Sequence, residues 1–469
     1  SNLWPFNPSS MRLYCLLFFY KIKPFQRVVT QMKAESLIQI ISEDEFLKIV
    51  QEPSGLFFKV SALFCEKKKS GKEISRKFYS TLIQETEYLE SVLDEHGARE
   101  NKTWSFFSEY VACIRNLTIA AFYIKHILDR HPYYNLGEPE EKVLEFKETA
   151  YKALDFLNSS IEGLRAEVVK TGELNGLKIS HEPFSMNEFS EIESNKRLPR
   201  TVLEDEVKGE EERILDLCQK YRKVAKMIND IGFKRSDDLA TFRHVIPSKL
   251  DEKLVRMLKE LVHSVQSEYD TYVKNTRMEQ SQADLKNLRG YISMPLHLLE
   301  VVLWLCHFYE RHEDDIRHGE CKQKISKIVN KEALLGQIFN FGFHFSKYYL
   351  QEGDKLVKEI LKVFTEIVKA EVPVPQPLGF HARPSTYLSL IARHHEGELF
   401  MHIDDEKFNA KSVMSLLQAG GLLADKGYLN VTLEGSRQAI NDAKLLAQNN
   451  YCEEGEFPRQ LSYLRPDQG

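Results

Sequence analysis

Pro377-Leu378-Gly379-Phe380-His381-Ala382-Arg383-Pro384-Ser385 sets a histidine at the opening of a helix, with an arginine two positions on. A helix N-terminus offers backbone N–H donors without partners and a positive dipole potential, so a neutral imidazole placed there is suited to accept a phosphoryl group. Arg383 adds a permanent charge on a planar donor fork that matches phosphate oxygens. Pro384 fits the first helical turn, where its missing N–H forfeits no bond. Further along the chain stands Phe408-Asn409-Ala410-Lys411-Ser412-Val413-Met414-Ser415-Leu416-Leu417-Gln418-Ala419-Gly420, a serine set to cap a second helix.

Around these two stretches the pattern predicts a strand over Glu371 to Pro375, a helix over Arg383 to His394, and a hairpin from Leu399 to Ile403 and Glu406 to Asn409. A short helix over Ser412 to Ala419, a strand over Tyr428 to Leu433 and a helix over Ser436 to Gln448 follow. With this order and both motifs, residues 371–455 resemble the histidine-containing phosphocarrier HPr of the bacterial phosphoenolpyruvate-dependent sugar phosphotransferase system. The resemblance implies an α/β open-faced β-sandwich. It implies that His381 takes phosphate from an enzyme I-like donor and passes it to a downstream acceptor protein, with Arg383 steadying the phosphohistidine. It further implies that Ser412 is the target of a serine kinase, and that Phe380, Val413, Met414 and Leu417 dock partners. Two departures stand out. Leu378 fills a place where the family often has Asn or Ser, and Gly421 to Gly427 reads as a loop longer than usual.

The 469 residues far exceed one such domain, and 42% hydrophobic content is ample for further cores. The formal net charge of -5 gives no electrostatic case for nucleic-acid binding. Seven scattered cysteines read as reduced thiols of a cytoplasmic protein. Residues 1–34 carry five cations and no Asp or Glu around the apolar run Leu13 to Tyr20, which is too short for a membrane span. They read as a leader or a start assigned too early, with the fold opening near Met32; interfacial attachment is the alternative, and no stable membrane insertion is expected.

Residues 35–370 are helical in pattern, giving a multidomain, mostly α chain ahead of the α/β domain. Amphipathic runs appear at Lys72 to Asp94, Lys102 to Arg130, Glu140 to Lys170, Glu204 to Ile231, Leu250 to Lys274, Asp284 to Arg311 and Cys321 to Leu350, with a last one to Ala370. Runs of about 40 Å at the α-helical rise favour antiparallel bundles. The spacing predicts one bundle over 35–172, a long connection over 173–203, a second bundle over 204–370, and a tail over 456–469. Gly97, His131-Pro132 and Gly172 read as stops, Pro139 as a start and Pro295 as a kink or break.

Polar residues within the apolar helices are Arg115, Lys125, His126, His297, Glu300 and His307, and Glu260 with His263 forms one E-x-x-H pair. A carboxylate-bridged di-metal bundle needs two such pairs, so no metal and no cofactor is assigned. The dense run from His312 to Cys321 reads as a solvated turn. Ser70-Gly71-Lys72 lacks the first Gly and the Ser or Thr of a phosphate loop. Two readings result: a phosphocarrier whose bundle senses or scaffolds, or a bundle enzyme or metal- or small-molecule-binding protein with the C-terminal domain as a regulatory attachment. The three retained residues His381, Arg383 and Ser412 favour the first. Sugar, acceptor and oligomeric state are left open.

Overall fold

Most of the long apolar-periodic runs fold as helices whose buried side chains recur at helical spacing. The computed structural model describes residues 39–180, 210–313, 319–365, 367–395, 398–453 and 457–464. The basic leader and most of the long connection lie outside them. The chain divides after Phe46 into two units; the first contributes residues 39–46, with the start of α1 (Glu43–Lys69), and the second is described below.

In the second unit, α2 (Arg76–Glu95) starts where the Ser75 side chain accepts the Phe78 N–H, and it buries Phe78, Leu82, Leu89 and Leu93. After it come α3 (Ser105–Arg130), α4 (Glu140–Leu174), α5 (Glu210–Asn229), α6 (Glu252–Glu268), α7 (Arg277–Ser281) and α8 (Ala283–Phe308). Then follow α9 (Glu320–Ile328), α10 (Lys331–Gly336) and α11 (His344–Thr365). α3 lies against α2, α4 and α8; α8 lies against α6 and α11; α11 lies against α5. Helices from before and after the long connection therefore pack on one another through α3 and α8. These two are long and apolar enough to cross a membrane, and they are mostly buried among the other helices. An all-round apolar surface is what a central core helix needs.

Three sequence expectations are corrected. The amphipathic runs read from the sequence begin at Lys72, and α1 lies ahead of them and runs through Pro53; Pro53 and Ser54 are buried, and tertiary packing overrides local preference. Gly172 lies inside α4, not after it, and an added Cβ would press on Phe58, Phe107 and Leu177 at 3.2 Å. The runs through Lys274, Arg311 and Leu350 are interrupted by π-helical turns at Tyr269–Val273, Tyr309–Glu313 and Gln337–Phe343.

Pro295 lies inside α8 and does not end it. Proline offers no N–H to the carbonyl four residues back, that of Tyr291. The buried Tyr221 hydroxyl lies 3.4 Å from this carbonyl and equally far from those of Tyr349 and Leu350. Gly353 leaves room for it, since a Cβ there would overlap the hydroxyl.

One residue after α11 the chain enters β1 (Ile367–Pro373), followed by α12 (Ala382–His394), β2 (Leu399–Ile403) and β3 (Glu406–Asn409). α13 (Val413–Lys426), β4 (Asn430–Ser436) and α14 (Arg437–Gln448) complete the domain. The four strands form one antiparallel sheet in the order β1-β4-β2-β3, with Ala370 opposite Leu433 and Met401 opposite Leu433 on its other side. Alternate residues such as Val372, Met401 and Leu433 are buried with Leu388, Leu416 and Ile440 from the three helices. On the exposed face Glu434 holds Lys369 and Lys407 at 2.9 Å each, and these bonds pull its carboxyl down to about 2.

Here too the sequence boundaries shift. β1 opens at Ile367, four residues before the expected domain start, because β4 extends to Ser436 and offers Ile367 a partner. The stretch expected as a long loop after Gly420 is helix: Leu416, Ala419 and Leu423 are buried, and Gly427 ends α13 in the left-handed conformation at φ 68. The expected tail is part of the core, with Leu461 and Leu464 buried.

Candidate functional site

Gly379 stands at φ 66, in the left-handed region open to glycine, and its N–H bonds the Pro375 carbonyl at 2.9 Å. This turn delivers His381 to the N-cap of α12 in an extended conformation. The ring Nδ1 of His381 accepts the Arg383 N–H at 3.5 Å, at the edge of hydrogen-bond range. Nε2 lies 2.9 Å from Glu453 Oε1, which is close but not aligned as a hydrogen bond. A carboxylate beside Nε2 favours the proton on that nitrogen and leaves the Nδ1 lone pair facing the helix N-terminus. The His381 side chain is 33% exposed, so the ring is reachable from solvent in the intact chain.

Arg383 donates to the Glu453 carbonyl at 2.8 Å and lies 3.6 Å from its carboxylate, with its own side chain 54% exposed. Glu453 is the site residue that sequence reasoning missed. It follows Asn450, Tyr451 and Cys452, three consecutive non-glycine residues at φ 44, 55 and 53. Such backbone persists only where its surroundings fix it. Asn450 brackets Gln376, accepting its N–H at 3.0 Å and donating to its carbonyl at 2.7 Å. The Tyr451 hydroxyl donates to the Pro373 carbonyl at 2.8 Å, and its ring meets Phe380 at 5.1 Å. Nothing in the local sequence signals that this turn reaches back 70 residues to Arg383.

Ser412 is the N-cap of α13, exposed, with its hydroxyl accepting the Ser415 N–H at 3.3 Å. α13 runs antiparallel to α12: Ser389 in α12 bonds the Lys411 carbonyl, while Gly420 meets Phe380 beside His381. Ser412 therefore lies about 12 Å along α12 from His381, at 1.5 Å per residue. Met414 is 67% exposed, and Val413 and Leu417 are half-buried. Phe380 is a correction. Its ring is buried against Tyr451, so it is core rather than docking surface.

In the bundle, the polar candidates are separate pairs. Arg115 pairs with Glu90 at 2.8 Å, Lys125 with Glu73 at 2.5 Å and with Asp129, Glu300 with Lys259 at 3.3 Å, and His307 with Glu252 at 2.8 Å. His126 bonds Arg76 at 2.7 Å and touches His297 edge-on. Burial, with Arg76 and Arg130 nearby, pulls His126 down to about 4; burial and His126 pull His297 down to about 3. Glu260 and His263 sit on the surface, more than half exposed. His312, expected in a solvated turn, is instead buried and bonds Glu109 and Asn116, while 314–318 of its acidic run lie outside the described residues. Among the described residues no group of three or more His, Cys, Asp or Glu is arranged for a metal. A cleft of about 400 Å³ opens between α2, α3, α6 and α8, lined in part by Tyr123, Lys259, Glu300 and Trp304.

Residues 368–444 match the family model of the PTS HPr component phosphorylation site. The match includes His381, Arg383 and Ser412 and ends before Glu453. The C-terminal domain is thus HPr-like, and the match supports a phosphocarrier-type function with phosphotransferase-system proteins as partners. The helical part has no family match. No curated protein and no solved structure matches the chain.

Proposed function

We propose that the chain is a phosphocarrier or regulatory protein of a phosphoenolpyruvate-dependent phosphotransferase system, cytoplasmic, taking phosphate on His381. The observation that carries this reading is His381 at the N-cap of α12, one-third exposed, with Nδ1 toward the helix N-terminus and Arg383 beside it. In the reaction Nδ1 attacks the phosphorus of a phosphohistidine on the donor. A new N–P bond forms, the donor's N–P bond breaks, and the donor imidazole departs with its electron pair. The Nε2–H stays on His381, where the Glu453 carboxylate offsets the positive charge the ring gains. Arg383 turns its fork from Glu453 to the phosphoryl oxygens. The same steps in reverse pass the group to an acceptor protein.

Phosphate on Ser412 would sit at the N-terminus of α13, where negative charge opposes the positive dipole end and keeps the helix intact. Its effect would fall on docking, beside Met414 and Val413. The helical part then senses or scaffolds. Incubation of the whole chain with phosphoenolpyruvate and an enzyme I that charges a control HPr tests the reading. Acid-labile phosphate that disappears in His381→Ala is expected. An unlabelled chain overturns it, and label that survives the substitution moves the acceptor elsewhere.

A further inference from the structure

His395 caps the C-terminal end of α12, the helix whose N-cap is His381. Each of its ring nitrogens meets a carboxylate: Nδ1 lies 2.5 Å from Glu211 Oε1 in α5, and Nε2 lies 2.8 Å from Asp442 Oδ2 in α14. Its side chain is only 7% exposed. Two acceptor-only partners require both ring nitrogens to carry protons, so this imidazole is a cation between two anions. Burial opposes that charge, but Asp442 and Glu211 outweigh it and hold the imidazole up to about 9. The Tyr463 hydroxyl donates to the same Asp442 oxygen at 2.6 Å, and the Tyr463 ring stacks on His394 at 3.9 Å.

Glu211 belongs to the helical part, whereas His395, Asp442 and Tyr463 belong to the carrier domain. The same interface includes α11 against α14 and β4, and Arg277 bonding Ser462 at 3.0 Å. Only one residue separates α11 from β1, too little chain for a swinging tether. α12 holds 13 residues, so the interface and His381 are separated by a helix of about 20 Å.

We propose that His395 is a charged latch fixing the carrier domain on the helical bundle by the end of α12 opposite His381. Partners therefore meet a single rigid body. They approach over the His381 end of α12 and the exposed side chains of Leu378 and Met414, 75% and 67% exposed, and a partner that needs the face of α14 packed on α11 is excluded. The inference rests on the carrier reading for this consequence alone.

The test uses the whole chain. Nitrogen-15 relaxation is expected to give amides of β2 and β4 the same rotational correlation time as those of α3 and α8. In Glu211→Gln, which leaves the His395–Asp442 half within the carrier domain, hydrogen exchange of α14 and the first turn of α5 is expected to rise on the order of tenfold. His395→Gln should do the same. Independent tumbling of the sheet in the unmodified chain overturns the latch, as does unchanged exchange in both variants. Phosphate acceptance measured on the same samples separates the two failures: a latched chain that takes no label on His381 refutes the carrier reading and leaves the latch standing.

Discussion

At the residue scale, the site rests on Gly379 and Glu453 as much as on His381. Gly379 at φ 66 would meet only Val374 at 3.9 Å if given a Cβ, so substitution there tests the backbone and not the space. Gly379→Ala is expected to cost about 1–2 kcal/mol in urea unfolding, the penalty of a side chain in the left-handed region, and to slow phosphate acceptance by displacing His381. Undiminished stability would mean that the turn relaxes. Glu453 acts on charge. Glu453→Gln keeps the shape but removes the carboxylate beside Nε2 and Arg383, and single-turnover labelling is expected to slow by up to about tenfold. An unchanged rate would remove Glu453 from the site. His381 and Arg383 were legible because both lie within one short motif. Glu453 was not, since only the three left-handed residues before it bring it back to the ring.

At the element scale, the difference between core and docking surface is measurable. Phe380 and Met414 both follow from the resemblance as partner contacts, yet one is 2% exposed and the other 67%. Phe380→Ala is expected to destabilise the carrier domain by about 3–5 kcal/mol, as for other buried aromatic truncations. Met414→Ala should change stability by less than about 0.5 kcal/mol and slow phosphoryl transfer to a partner instead. Thermal unfolding and transfer kinetics on the two variants read these apart; equal loss of stability would place Met414 in the core. Alternation and turn residues made β2 and β3 readable to the residue. The sequence reading ends α13 at Ala419 and makes Gly421 to Gly427 a loop, whereas the helix continues through Gly420, where the missing Cβ lets Phe380 approach: a Cβ would lie 2.5 Å from its carbonyl oxygen. α1, ahead of the runs read from the sequence, carries a proline accommodated by packing that no local window contains.

For the second unit, Leu47–Gly469, local periodicity foretells helices but not which of them touch. The pairing of α3 with α8 and the seat of the carrier domain on α5 and α11 come from contacts distant in sequence. The latch has a thermodynamic consequence that the pattern of residues could not supply. His395 is raised from an ordinary 6.5 to about 9, against burial, by Asp442 and Glu211, with Tyr463 and His394 as the other titratable neighbours. A raised folded-state value means that the native state holds the proton more tightly than the unfolded chain. The contribution, on the order of 3 kcal/mol, is therefore fully present below about 6.5 and is lost as the pH rises through about 9. Urea unfolding at pH 6, 7.5 and 9.5 is expected to show stability falling across that window, with a shallower fall in His395→Gln. The difference between the two profiles isolates His395 from every other alkaline titration, and parallel profiles would show that the imidazolium adds nothing to the native state.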